Sequence, residues 1–242
     1  MLMLALDSST RVGSVALVAG GVLAAEYTLS VQRTHAERLL PAIAQVLKDA
    51  GRTPADLDAV AVTRGPGSFT GIRIALATAK GLAYALQRPL VGVSTLSALA
   101  YGVAGLGDFA CPLIDARRGE AYAALYRTLS TGKAERVTDY LALPVRDLLD
   151  RLNGLEGRIV FTGDGAALHA ELIRNVLGER AVFPAEAVAA LRGAWVAALG
   201  AARLARGERD APAALIPLYV RPAEAEVKWA AQHGKGGEPP WC

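Results

Sequence analysis

Apolar residues fall along this chain in short blocks whose spacing alternates between the two-residue repeat of strands and the 3.6-residue repeat of helices. Residues 2–6 form a near-continuous apolar run, as expected of a strand buried on both faces. Residues 12–18 and 22–29 predict two more strands, joined by the hairpin connection Ala19-Gly20-Gly21. A helix should follow: Thr34 with Glu37 three residues later is a capping-box pattern, and Leu39, Leu40, Ile43, Val46 and Leu47 recur on one face before Gly51. Pro41 inside that helix should bend it. Residues 57–62 predict a strand. Arg64-Gly65-Pro66-Gly67-Ser68-Phe69-Thr70-Gly71 then reads as a loop opening a helix over 70–86, and residues 90–93 as a further strand. The order is βββαβαβ.

From Cys111 the same grammar restarts in topology, although the residues barely repeat. A strand over 112–115 ends in Asp115, as the first strand of the chain ends in Asp7. The turn Arg117-Arg118-Gly119 leads to strands over 121–126 and 137–143, separated by Thr131-Gly132. A helix over 145–152 and a strand over 158–161 follow, and then Thr162-Gly163-Asp164-Gly165 opens a helix reaching 177, parallel to Gly65-Pro66-Gly67 in the first half. A helical stretch over 184–206 and an apolar segment over 215–220 return along the fold. The pattern specifies an α/β protein of two tandem βββαβα lobes, residues 1–107 and 108–222. Residues 223–242, glycine- and proline-bearing toward the end, read as a flexible tail.

Composition narrows the function classes. Of 242 residues, 52% belong to the AVILMFWYC set. Counting glycine in place of tyrosine brings the apolar share to about 60%, above the usual 45 to 50%. Disorder is excluded, and the excess must serve a thick core, a membrane or a face covered by another protein. The one long uncharged stretch, residues 89–107, is interrupted by Pro89, Ser94, Thr95, Ser97 and four glycines. It divides into a strand and a small-residue helix rather than a membrane span. The N-terminus runs directly into Asp7 without a basic region, so no secretory signal is expected and the cytoplasm is the expected compartment. Two cysteines make no disulfide framework. A net charge of +3, with no basic run, gives only a weak footprint for binding nucleic acid directly.

Two loops could carry chemistry. In Asp7-Ser8-Ser9-Thr10, backbone amides and hydroxyls could hold a phosphate while Asp7 positions a metal or water; equally, the side chains could simply tie off a tight turn. Gly65–Gly71 could present a helix N-terminus to an anion, or its glycines could allow a close strand-to-helix turn; it is neither a Walker A loop nor GxGxxG. The helix after it sets Arg73, Ala77, Lys80 and Tyr84 on one stripe and Ile72, Leu76, Ala79 and Ala83 on the next, a surface fit for the protein's own core or for a partner helix. His35, His169 and His233 form no ligand pair, so no metal site is expected; His169 reads as lying on a helix face, and no catalytic nucleophile stands out.

The stretch from Thr63 to Arg73, continuing Ala77-Thr78-Ala79-Lys80-Gly81-Leu82, resembles the TsaB family within the actin, hexokinase and Hsp70-like superfamily (the ASKHA, ribonuclease H-like fold). Residues 4–10, 34–41 and 115–122 fit the same family, and the resemblance spans about residues 1–222. It implies a non-catalytic subunit of the bacterial machinery that makes tRNA N6-threonylcarbamoyladenosine. In such a complex the first-half helices pair with the catalytic paralogue TsaD, the ATPase TsaE joins, and tRNA is met only through the assembly. The interface would involve Thr34, His35, Glu37, Leu40, Ile43, Arg73, Leu76, Ala77 and Lys80, with a homodimer through the same helices when TsaD is missing. A charge at Leu40 or Leu76 should then abolish the pair without unfolding the chain. Asp7, Ser8, Ser9 and Thr10 would be a vestigial nucleotide loop, with ATP or ADP conceivable only at the joint with TsaD. Arg117 and Arg118 stand where superfamily ATPases carry a glycine-rich phosphate turn. The alternative is an ATPase or kinase of the same superfamily that uses Asp7.

Overall fold

A computed structural model describes residues 1–30 and 35–221. Thr34 and the tail over 223–242 lie outside these residues, as do the side chains of His35 and Glu37. Strands β1 (Leu2–Asp7), β2 (Val12–Ala19) and β3 (Val22–Ser30) form an antiparallel meander. Helix α1 (His35–Asp49) then leads to β4 (Ala59–Thr63), α2 (Phe69–Leu86), β5 (Leu90–Val93) and α3 (Thr95–Gly102). β4 lies parallel to β1, and β5 parallel to β4, so the sheet order is β3-β2-β1-β4-β5. The parallel strands carry continuous apolar runs because both of their faces are covered. Helix α1 continues through Pro41 without a break in the helix.

The second lobe repeats the order with one insertion. Its strands are β6 (Phe109–Asp115), β7 (Glu120–Ala123), β8 (Tyr126–Thr128), β9 (Ala134–Arg136) and β10 (Leu141–Pro144). After α4 (Val145–Asn153) come β11 (Ile159–Thr162), α5 (Asp164–Leu168), α6 (Ala170–Leu177), β12 (Ala181–Val182), α7 (Glu186–Ala189) and α8 (Gly193–Ala205). The sheet order β10-β7-β6-β11-β12 matches the first lobe strand for strand, with β8 and β9 as an added hairpin at the lower end of β6. The single strand expected over 121–126 is thus two. Both keep one register against β6, with Leu113 opposite Ala123 and Ala110 opposite Tyr126, but the position between them faces Pro112, which has no N–H to extend the ladder. The strand expected over 137–143 forms only from Leu141 onward, as β10: residues 137–140 belong to no strand, and there the Thr138 hydroxyl accepts a hydrogen bond from Leu125 N at 2.9 Å. The helix expected to reach 177 breaks at His169, which ends α5 and begins α6, so His169 sits at a helix junction and not on a helix face.

Three apolar clusters fill the layers. One lies between the first sheet and α1 and α2, and another between the second sheet and α4 and α6. The third, with Met3, Ala61, Leu96, Leu99, Ile114, Val160 and Val196, joins the lobes through α3 and α8. The division at residue 108 follows the chain but not this packing: α8, from the second half, lies on β1, β2, β4 and β5 of the first sheet. Its N-terminus is held by that sheet. Ser14 Oγ accepts from Gly193 N at 2.9 Å, while Glu26 accepts from Ala194 N at 3.0 Å and from Arg192 Nε at 2.9 Å. A buried carboxylate on a helix N-terminus satisfies amides that have no partner within the helix and complements the helix dipole. Glu26→Ala should therefore lower unfolding free energy in urea by about 2 to 3 kcal/mol, and Glu26→Gln by less.

Candidate functional site

The carboxyl ends of β1, β4 and β5 meet at the place where open α/β sheets commonly bind ligands. Asp7 closes β1 there and is fully buried, with Ser8 and Ser9 beside it. Its Oδ1 accepts hydrogen bonds from Ser9 N at 3.0 Å, from Ser9 Oγ and from Thr63 Oγ1. The Thr95 hydroxyl donates to Ser9 Oγ at 3.0 Å, which extends the network to the start of α3.

The glycine loop closes over this turn. Ser68, the residue that caps α2, donates its N–H to Ser9 O at 2.7 Å and accepts Gly71 N on its hydroxyl at 3.3 Å. Ser8 Oγ donates to Gly71 O at 2.7 Å. A Cβ on Gly67 would lie 2.1 Å from Ser9 O, and one on Gly71 would lie 1.8 Å from Ser8 O. The glycines serve the close backbone approach that the sequence allowed, with Ser68 N, at the cap of α2, hydrogen-bonded to a carbonyl of the Asp7 turn. The second lobe uses the same joint. A Cβ on Gly163 would meet Leu113 O at 2.3 Å, and Asp115 N donates to Asp164 Oδ1 at 3.1 Å. Arg117 N donates to Asp115 Oδ1 at 2.8 Å, and Arg117 and Arg118 both take left-handed backbone conformations at this turn. Burial pushes the Asp164 carboxyl above the usual carboxylate range. Hydrogen bonds from the Asp115 and Gly165 amides oppose the shift, the Asp115 charge adds to it, and Arg11, reaching across from the first lobe, counters it.

The sequence-derived interface residues divide between core and surface. Leu76 is 3% exposed and Ile43 5%, and both pack in the first lobe's outer core. A charge at Leu76 would therefore strike the core, contrary to the expectation that it would leave the fold intact. Leu40, at 59%, faces solvent on α1, and Arg73, Ala77 and Tyr84 do so on α2, with Lys80 partly exposed. Arg73, Leu76, Ala77 and Lys80 form one side of a groove of about 400 Å³ whose other side is Ile216, Pro217 and Tyr219.

This second wall escaped sequence reading, which took 215–220 only as an apolar return. Leu218 N donates to Arg64 O at 2.6 Å, and Tyr219 stacks on Phe69 with ring centroids 5.8 Å apart. The Arg73 guanidinium lies 3.7 Å over the Phe69 ring and donates from Nε to Tyr219 Oη at 3.0 Å. The alternation of large apolar residues and proline after α8 was the available signal. No group of three or more His, Cys, Asp or Glu side chains suited to a metal ion exists among the described residues. None of the described helices is long and apolar enough to cross a membrane.

Two measurements probe the joint. Gly71→Ala forces Ser8 and α2 apart and should lower urea stability by about 2 to 4 kcal/mol. An acid whose folded pKa is raised binds its proton more tightly in the folded state, so its contribution to stability grows as pH falls through that pKa and is lost above it. Melting temperatures between pH 7 and pH 4 should thus show the wild type gaining on Asp164→Asn as pH falls, with the variant the more stable of the two at pH 7.

Residues 20–229 match the family model described as TsaD, tRNA N6-adenosine threonylcarbamoyltransferase. The chain is 34% identical over 229 residues to the tRNA threonylcarbamoyladenosine biosynthesis protein TsaB of Bacillus subtilis, covering 95% of this chain and 98% of that protein. It is 37% identical over 167 residues to TsaB of Escherichia coli, covering 68% and 72% of the two chains. Among solved structures, YeaZ from Pseudomonas aeruginosa superposes with a TM-score of 0.75 at 32% identity, over 90% of this chain and 99% of that one. Component A of (R)-2-hydroxyglutaryl-CoA dehydratase from Acidaminococcus fermentans matches at a TM-score of 0.52 and 11% identity, over 85% and 99%, a likeness in fold alone. With two lobes of matching strand order in the actin-like ATPase fold class and near-complete coverage by a curated relative, the chain belongs to the TsaB family of tRNA threonylcarbamoyladenosine biosynthesis proteins.

Proposed function

We propose that this chain is a non-catalytic partner subunit for tRNA N6-threonylcarbamoyladenosine formation, working in the cytoplasm by pairing its α1 and α2 face with a TsaD-type paralogue. On this reading it activates that paralogue and supports docking of a TsaE-type ATPase, pairs with its own copy when the paralogue is missing, and meets tRNA only through the assembly. The observation that carries the reading is the contrast between the two candidate surfaces. At the strand ends, the hydroxyls of Ser8, Ser9 and Thr63, the amide of Ser9 and the amide of Ser68 at the cap of α2 are all spent on protein partners. This supports a vestigial role for Asp7, Ser8, Ser9 and Thr10 in the isolated chain. On α1 and α2, by contrast, Leu40 and Tyr84 stand in solvent beside small residues at Ala44, Ala77, Gly81 and Ala85, a surface suited to close helix approach. Two exposed apolar side chains flanked by small residues would supply the apolar centre of such a contact.

The double variant Leu40→Glu, Ala77→Glu should keep its melting temperature within a few degrees. It should lose at least tenfold in affinity for the paralogue by size-exclusion chromatography, and as much in tRNA threonylcarbamoylation reconstituted in vitro. Leu76→Glu should instead unfold the first lobe. Unchanged modification with the exposed pair replaced would contradict the docking face. Calorimetric titration of the isolated chain with MgATP separates the enzyme reading: tight, Asp7-dependent binding with turnover would replace the subunit assignment.

A further inference from the structure

Helix α2 contains no acidic residue, yet it exposes Arg73 and partly exposes Lys80 two turns further on. The groove they border has no carboxylate among its lining residues, whose remainder is Leu76, Ala77, Ile216, Pro217 and Tyr219. On the neighbouring α1, Arg38 and Lys48 are exposed, and the described carboxylate, Asp49, is engaged by Gln45 and Tyr27. Arg73 is held in place from both sides, by the Phe69 ring beneath it and by the Tyr219 hydroxyl on Nε. Its terminal nitrogens make no hydrogen bond or ion pair within the described chain. A guanidinium fixed in this way and left with donors to spare is prepared for a carboxylate, because the ordering cost of the side chain has already been met.

We infer that Arg73 and Lys80 select the occupant of the α1 and α2 face: a helix of a paralogous partner that presents acidic side chains beside an apolar ridge, in preference to a second copy of this chain. The inference rests on the docking role proposed above and adds the chemistry of the partner. An antiparallel two-fold pairing of α2 with its own copy about Ala77, the small exposed residue between the two cations, would set Arg73 of one copy close to Lys80 of the other, at both ends of the contact. Like charges so placed weaken self-association without touching the apolar centre, whereas an acidic partner turns the same two residues into attractive contacts. Residues 215–221 belong to the device, since Tyr219 orients Arg73 and Ile216 completes the apolar wall.

The test compares the full chain with Arg73→Gln, Lys80→Gln and with Arg73→Glu, Lys80→Glu, measuring affinity for the TsaD-type paralogue at 50 and 500 mM salt and self-association by sedimentation equilibrium. Raising the salt should weaken wild-type pairing with the paralogue about tenfold or more, and the double Glu variant should lose roughly 100-fold at low salt. The double Gln variant should self-associate about tenfold more tightly than wild type, a readout that general damage to the fold would not produce. Wild-type binding to the paralogue with no response to salt or to either double variant would overturn the charge selection and leave the docking role standing. Absence of any wild-type binding to the paralogue would overturn both.

Discussion

The structure turns on a backbone-to-backbone contact that a single methyl group would forbid. Because Gly67 and Gly71 have no Cβ, the carbonyls of Ser8 and Ser9 reach the amide end of α2, and the first βα joint closes with Ser68 N on Ser9 O. That contact fixes three things together. It buries Asp7, it sets the Ser8 and Ser9 carbonyls against the start of α2, and it locks the position of α2 against the sheet. With α2 locked, its inner stripe of Ile72, Ala75, Leu76, Ala79 and Ala83 fills the core, and the opposite stripe is presented to solvent in a fixed orientation.

The second lobe carries the same joint at Gly163 and Asp164 but leaves a different electrostatic balance. Asp164 lies in a partly buried position with Asp115 beside it, and its charge is relieved by amides and by Arg11 from the other lobe. The two lobes are tied further by α8, which belongs by sequence to the second half but lies on the first sheet, and by Arg221, which pairs with Glu120. Residues 215–221 therefore run from the outer groove at Ile216 and Tyr219 to the second lobe at Glu120, so the groove and the lobe junction share one piece of chain.

Much of this order is written in local pattern. The apolar runs of β1 and β4, the glycine hairpin between β2 and β3 and the serine-capped start of α2 all obey short-range rules. Where the pattern misleads, a long-range partner decides. Pro112 divides β7 from β8 through a missing donor on the neighbouring strand, and no count of apolar residues over 121–126 contains that fact. At the candidate site, helical periodicity identified α2 as a two-sided element but could not say which stripe faced inward, and Leu76 proved to be on the core side. Phe69, Arg73 and Tyr219 come together only through the fold, since Arg73 and Tyr219 lie 146 residues apart in sequence.

The central claim is that the strand-end cleft is closed by the protein's own backbone and that the outer face of α1 and α2 is the working surface. Hydrogen–deuterium exchange on the full chain, alone, with MgATP and with a TsaD-type paralogue, tests it most directly. The account predicts that MgATP leaves exchange at residues 7–10 and 65–71 unchanged, and that the paralogue slows exchange in α1, α2 and residues 215–221. Slowed exchange at residues 7–10 and 65–71 with MgATP alone, and none on α1 and α2 with the paralogue, would contradict it.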